Sequence, residues 1–152
     1  MRASRLLFPM AFFLALPALG QPPKGIAEVT SDRLEIAHQE KSARFFGNVR
    51  AVYGDLTVQC DKMALWYDDK GEVTSLFAEG KVVVTRGAAR ATATSARLNA
   101  AEGLLVLEGG PTLQTGSHSL AGAAIKVYLK TSRIDVVEAR GRFRFSAGEG
   151  KK

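Results

Sequence analysis

Phe46-Gly47-Asn48-Val49 and Glu79-Gly80-Lys81-Val82 decide the fold. Each is a glycine-centred step inside a run of β-formers. A degenerate copy follows at Glu108-Gly109-Gly110, and a fourth is read at Arg140-Gly141-Arg142-Phe143. The glycines stand 33, 29 and 32 residues apart. A fixed period of this kind marks a repetitive architecture, in which one unit cannot bury its apolar face alone.

Around these steps the hydrophobic period is two. Leu34 and Ile36, Val49 and Ala51, and Leu56, Val58 and Cys60 alternate with polar neighbours. So do Leu65 and Tyr67, Val82 and Val84, Ile125, Val127 and Leu129, and Ile134 and Val136. Strict alternation predicts half-buried strands rather than helices. Turn residues interrupt at short intervals, as in Tyr53-Gly54-Asp55, Asp68-Asp69-Lys70-Gly71 and Lys130-Thr131-Ser132. The reading gives roughly a dozen strands of four to seven residues. The Ala-rich stretch 88–101 is read as a strand with small side chains, because it lies in register with 61–65 and 123–127 of the neighbouring units. Stacked units would bury one apolar interior between two sheet faces. The predicted fold is all-β, built as a repetitive antiparallel double sheet.

Residues 1–20 carry the pattern of a cleaved signal peptide. Arg2 and Arg5 precede an apolar run from Leu6 to Leu19, and Ala18-Leu19-Gly20 is a small-x-small site. The run is shorter than the ~20 residues that span a bilayer, and Pro9 and Pro17 interrupt it. Residues 21–25 read as a flexible lead-in, 26–146 as one domain and 147–152 as a polar tail. The net charge of +6 becomes +4 without Arg2 and Arg5. The charges are scattered and suit a solvated surface, and no basic stripe points to nucleic acid. Cys60 is the single cysteine, so no internal disulfide forms, and its place in the alternation turns it inward.

Enzyme readings find no support. His38 and His118 are the two histidines, and neither belongs to a metal-ligand spacing. There is no G-x-S-x-G, no Walker-type loop, and Gly47-Asn48-Val49 lacks the further glycines of a dinucleotide fingerprint. Asp68-Asp69 is read as a turn rather than a carboxylate pair. No catalytic residue, metal or cofactor is expected.

Taken as a set, Val29-Thr30-Ser31-Asp32, Phe46-Gly47-Asn48-Val49, Cys60-Asp61-Lys62, Leu105-Val106-Leu107-Glu108-Gly109 and Leu120-Ala121-Gly122 resemble the LptA/OstA-like family of periplasmic lipopolysaccharide-transport proteins. The resemblance covers about residues 26–145. Gly110-Pro111 departs from the family's Asn-Val step, and the strand there is read as an edge or a bulge. The resemblance implies an OstA-like β-jellyroll, a slightly open, V-shaped double sheet. It implies a periplasmic bridge or carrier that shields lipid A acyl chains in an apolar groove between the inner and outer membranes. Each methylene left in water costs about 0.8 kcal/mol, so a chain of about twelve carbons needs on the order of 10 kcal/mol of shielding.

The inward members of the alternation are the candidate lipid-groove residues: Val29, Ile36, Val49, Leu56, Val58, Leu65, Val82, Val84, Leu98, Leu105, Leu107, Ile125, Val127 and Ile134. Phe45-Phe46 and Trp66-Tyr67 are adjacent pairs, so one of each should point outward. The implied partners are lipopolysaccharide and inner- and outer-membrane jellyroll proteins met by edge-strand pairing. Head-to-tail self-association, joining strand 26–30 to strand 142–146 of another copy, belongs to the same set. Two other readings stay open at this level. One is the membrane-anchored inner-membrane jellyroll of the same pathway, which needs residues 1–20 to stay uncleaved. The other is a structural or carbohydrate-binding β-sandwich with a closed dry core.

Overall fold

The computed structural model describes residues 27–146, so the signal-peptide, lead-in and tail assignments lie outside the described residues. Twelve strands follow in order: β1 (Ala27–Thr30), β2 (Arg33–Ala37), β3 (Ser42–Tyr53), β4 (Leu56–Tyr67), β5 (Val73–Arg86), β6 (Ala89–Asn99), β7 (Leu104–Glu108), β8 (Thr112–Thr115), β9 (His118–Ala121), β10 (Ala124–Tyr128), β11 (Arg133–Val137) and β12 (Arg140–Arg142). Every pairing is antiparallel. The Ala-rich stretch is strand β6, as its register predicts.

Strand length is where sequence and structure part. β3 to β6 run for 11 to 14 residues, not four to seven. Each passes through a bulge and continues, so two short strands of the sequence reading are one long, bent strand. The registers break between Phe46 and Val49, between Gln59 and Lys62, and between Glu79 and Val82. These breaks divide the sheet into two leaves. A leucine-rich leaf orders β2, the first half of β3, the second half of β4, the first half of β5, the second half of β6, β7, β10 and β11. An Ala/Val leaf orders β1, then the other halves of β3 to β6, then β8, β9 and β12.

The line of bends is built by the repeated glycine. Gly47, Gly80 and Gly109 have φ of 76°, 82° and 79°, a left-handed backbone that costs an L-side chain energy and glycine nothing. A second demand comes from packing. A Cβ on Gly80 would lie 2.6 Å from Asp61 Oδ2, and Gly47 and Gly109 press on Asp32 and Thr94 in the same way. The facing polar residues tie the bend down. Asp32 N–H donates to Gly47 O at 2.9 Å, Asn48 Nδ2 donates to Asp32 Oδ2 at 2.9 Å, and Thr94 Oγ1 donates to Gly109 O at 2.9 Å.

Two sequence expectations are corrected here. The fourth bend is at Glu138 (φ 52°), not at Gly141, which lies inside β12 opposite Leu120. In this last row two residues face two, between Val137↔Ala124 and Arg140↔Ala121, so there is no bulge. The glycine has moved to the facing strand: a Cβ on Gly122 would sit 2.4 Å from Val137 O. Of the edge or bulge expected at Gly109-Gly110-Pro111, the bulge holds and the edge does not: three residues between β7 and β8 face two of β6, at the bend line. Both β7 and β8 are flanked on two sides, by β6 and by β10 or β9.

Buried side chains from both leaves form one core, among them Phe45, Val49, Met63, Val82, Leu107 and Ile125. The paired aromatics divide as alternation requires. Phe45 is buried, while Phe46 lies on the outer face with the Arg33 guanidinium 5.2 Å from its ring centroid. Cys60 is buried and unpaired with any other cysteine.

Candidate functional site: an apolar trough between the leaves

Because paired residues on neighbouring antiparallel strands share a face, the registers define rows that cross the whole molecule. On the leucine-rich leaf one row runs Ile36, Ala43, Leu65, Leu76, Leu98, Leu105, Val127, Ile134. The next, nearer the bend, runs Leu34, Phe45, Met63, Ala78, Ala96, Leu107, Ile125, Val136. On the facing leaf a row runs Val29, Ala51, Val58, Val84, Ala91, Leu113, Leu120 and ends at Gly141. These three rows contain no charged side chain. Large side chains on one leaf thus meet small ones on the other.

The rows are open at their ends. Ile36 is 53% exposed and Ile134 41% exposed, whereas Leu105 in the middle of the same row is 3% exposed. Ile36 belongs to β2 and Ile134 to β11, the terminal strands of the leaf, so the apolar row reaches both edges uncovered.

Between the leaves, toward the C-terminal end, the interior opens into a cleft of about 370 Å³. That lies within the size range of small-ligand pockets. One wall is Leu56, Val84, Ala89, Ala91 and Leu113; the other is Leu105, Leu107, Val127, Leu129 and Ile134. The lip is polar, formed by Arg86 at the end of β5 and by Asp55, Gly87 and Ser132 from the turns after β3, β5 and β10. Arg86 Nε lies 3.2 Å from Asp55 Oδ2.

Of the fourteen candidate groove residues, Leu56, Val84, Leu105, Leu107, Val127 and Ile134 line this cleft. Ile36, Leu65 and Leu98 stand in the row of Leu105, Ile125 in the row of Leu107, and Val29 and Val58 in the row of Val84. Val49 and Val82 are buried beside the bend, each 1% exposed. All fourteen therefore belong to one interior face. The sequence reading missed Ala89, Ala91, Leu113 and Leu129 as cleft residues. Alternation in 89–93 would have found the alanines, but Leu113 is isolated between Thr112 and Gln114 and carries no periodic signal. The polar lip was missed as well, since Asp55 and Arg86 come together across 31 residues of chain.

Among the described residues no group of three or more His, Cys, Asp or Glu could hold a metal. Burial pushes the Cys60 thiol up to about 11, and the neighbouring Asp61 charge adds to the rise. It is therefore neutral and unreactive at physiological pH.

Comparison with known proteins agrees with this architecture. A family model described as LptA/(LptD N-terminal domain) LPS transport protein matches residues 28–133. An uncharacterised protein of Rhizobium meliloti (strain 1021) is 32% identical over 124 residues, covering 76% of this chain and 67% of the relative. The crystal structure of LptH, the LptA-homologous periplasmic component of the lipopolysaccharide transport device of Pseudomonas aeruginosa, superposes with a TM-score of 0.71. The match covers 82% of this chain and 96% of LptH at 13% identity, a likeness of fold. The chain belongs to the LptA/(LptD N-terminal domain) LPS transport protein family, and it is a transport protein rather than an enzyme.

Proposed function

We propose that this protein is a periplasmic lipopolysaccharide carrier that serves as a segment of a bridge between the inner and outer membranes, holding lipid A acyl chains in the trough between its leaves. The observation that carries the reading is the continuity of the apolar rows. They cross eight strands without a charge, and the row from Ile36 to Ile134 is exposed at both ends. An acyl chain in such a trough exchanges one apolar wall for the next as it moves, so it meets no step comparable to the cost of re-entering water. The sugars stay outside, in solvent. Energy for extraction comes from a partner, because the sequence holds no nucleotide-binding motif.

The exposed row ends at β2 and β11 support docking of jellyroll partners edge to edge. Such docking would extend the sheet ladder and the trough together. A second copy of this chain can make the same contact. The contact is heterologous and builds an open row.

The test is site-specific photo-crosslinking in cells. A photoreactive residue at Val58, Val84 or Leu98 is expected to capture lipopolysaccharide, and one at the exposed turn residue Lys70 is not. A folded, exported protein with no lipid adduct at any of the three positions would mean a closed core, and a structural or sugar-binding sandwich would replace the carrier.

A further inference from the structure

The polar lip of the cleft holds a charge in an unexpected place. The outermost interior row of the Ala/Val leaf runs Ala27, Tyr53, Leu56, Arg86, Ala89, Thr115, His118. Arg86 pairs with Leu56 on one side and Ala89 on the other, and all three line the cleft. Across the interior rows of both leaves, among the described residues, Arg86 is the one cationic side chain. Elsewhere the arginines and lysines of the strands stand in outward rows, such as Arg44, Arg97 and Lys126 in the row that also holds Phe77.

An arginine at an apolar rim costs desolvation unless it is paired. Here the pairing is partial. Asp55 contacts Arg86 through Nε, which leaves the two terminal nitrogens free of that contact. A guanidinium presents a planar fork of donors that suits a phosphate. The Asp55 side chain is 68% exposed and the Arg86 side chain 38% exposed, so an incoming anion can reach the fork and compete with the carboxylate.

We infer that Arg86 reads the phosphate of an acylated lipid whose chains occupy the cleft, and that Asp55, held at Nε beside the free terminal nitrogens, is its internal counter-ion when the trough is empty. The inference rests on the carrier reading above and adds to it a preference for phosphorylated over dephosphorylated lipid. The geometry gives a division of labour: the walls Leu56, Val84, Leu105 and Val127 take chains of any headgroup, while one lip residue selects the charge.

The experiment compares purified protein binding to bis-phosphorylated lipid A and to its dephosphorylated form of the same acylation. Wild type is expected to favour the phosphorylated form by about tenfold, the scale of one charge-assisted contact. Arg86→Gln should bind both forms alike. Asp55→Asn, which leaves Arg86 in place and removes its competitor, should widen the preference. Raising the salt concentration should narrow it in wild type. An Arg86→Gln protein that keeps the full preference, or an Asp55→Asn protein that loses it, overturns the inference while the carrier reading stands. Wild type that binds neither form removes both.

Discussion

Cys60 shows how a single side chain reports the state of the interior. It is 6% exposed and its thiol is held protonated to about 11, chiefly by burial. The ordinary value is 9.0, so the shift lowers the thiolate fraction at neutral pH by about a hundredfold. Alkylation of the folded protein should therefore be slower than alkylation of the denatured chain by at least about that factor. Mass spectrometry after timed quenching checks this, and equal rates would mean that the interior is open at Cys60. The sign of the pH dependence follows. The folded-state value is raised above the unfolded one, so the stabilising contribution of the neutral thiol is complete below about 9 and is lost as pH rises toward 11. Cys60 was legible in the sequence, because a period of two fixes which way it points. Arg86 was not: alternation places it on an inward face, but its pairing with Asp55 joins the end of β5 to the turn after β3, and no local pattern carries that contact.

At the scale of the element, the bend line is where the strands gain their second leaf. Gly80→Ala should destabilise the fold by about 1–3 kcal/mol, the cost of a strained left-handed residue. The clash with Asp61, whose own Cβ would be 2.9 Å away, adds to that cost. Gly87→Ala is the control: its φ is also positive, at 56°, but open space surrounds the added methyl. Its cost should stay near 1 kcal/mol. Urea unfolding of the two variants separates crowding at the bend from left-handed backbone alone, and equal losses would show that Asp61 yields. The repeat period was legible because glycine is needed at three of the four bends. The fourth was misplaced at Gly141, because the close approach there is relieved by Gly122 on the facing strand and Glu138 takes the left-handed backbone without a glycine. The long strands were read as short ones for a related reason. A glycine with a turn-like dihedral looks the same in sequence whether the chain reverses or only bends.

For the molecule as a whole, the exposed row ends make a prediction about assembly. Ile36→Asp places a charge at one end of the trough, at a side chain already 53% exposed, so folding should be little affected. If copies stack through these ends, wild type should grow in apparent mass with concentration, and Ile36→Asp should not. Light scattering behind a sizing column measures both. A wild type that stays monomeric across the range would leave the ends to other partners and remove self-association. Composition, period and alternation made the all-β double sheet legible at this scale. The polar lip of the trough was not, since it depends on which turns the two leaves bring together.

The order of pairing has a consequence for how the molecule comes into being. β3, β4, β5 and β6 each pair with the strand that precedes or follows them in the chain. The N-terminal strands β1 and β2 both fold back onto β3, within about 25 residues. Closing such short loops is entropically cheap, and a topology of near neighbours folds early and quickly. A chain that emerges N-terminus first can thus zip one hairpin after another as it appears. Only β12, which returns to β9 around β10 and β11, must wait for the final residues. Pulse-labelled hydrogen exchange should find β3 to β5 protected first and β12 last.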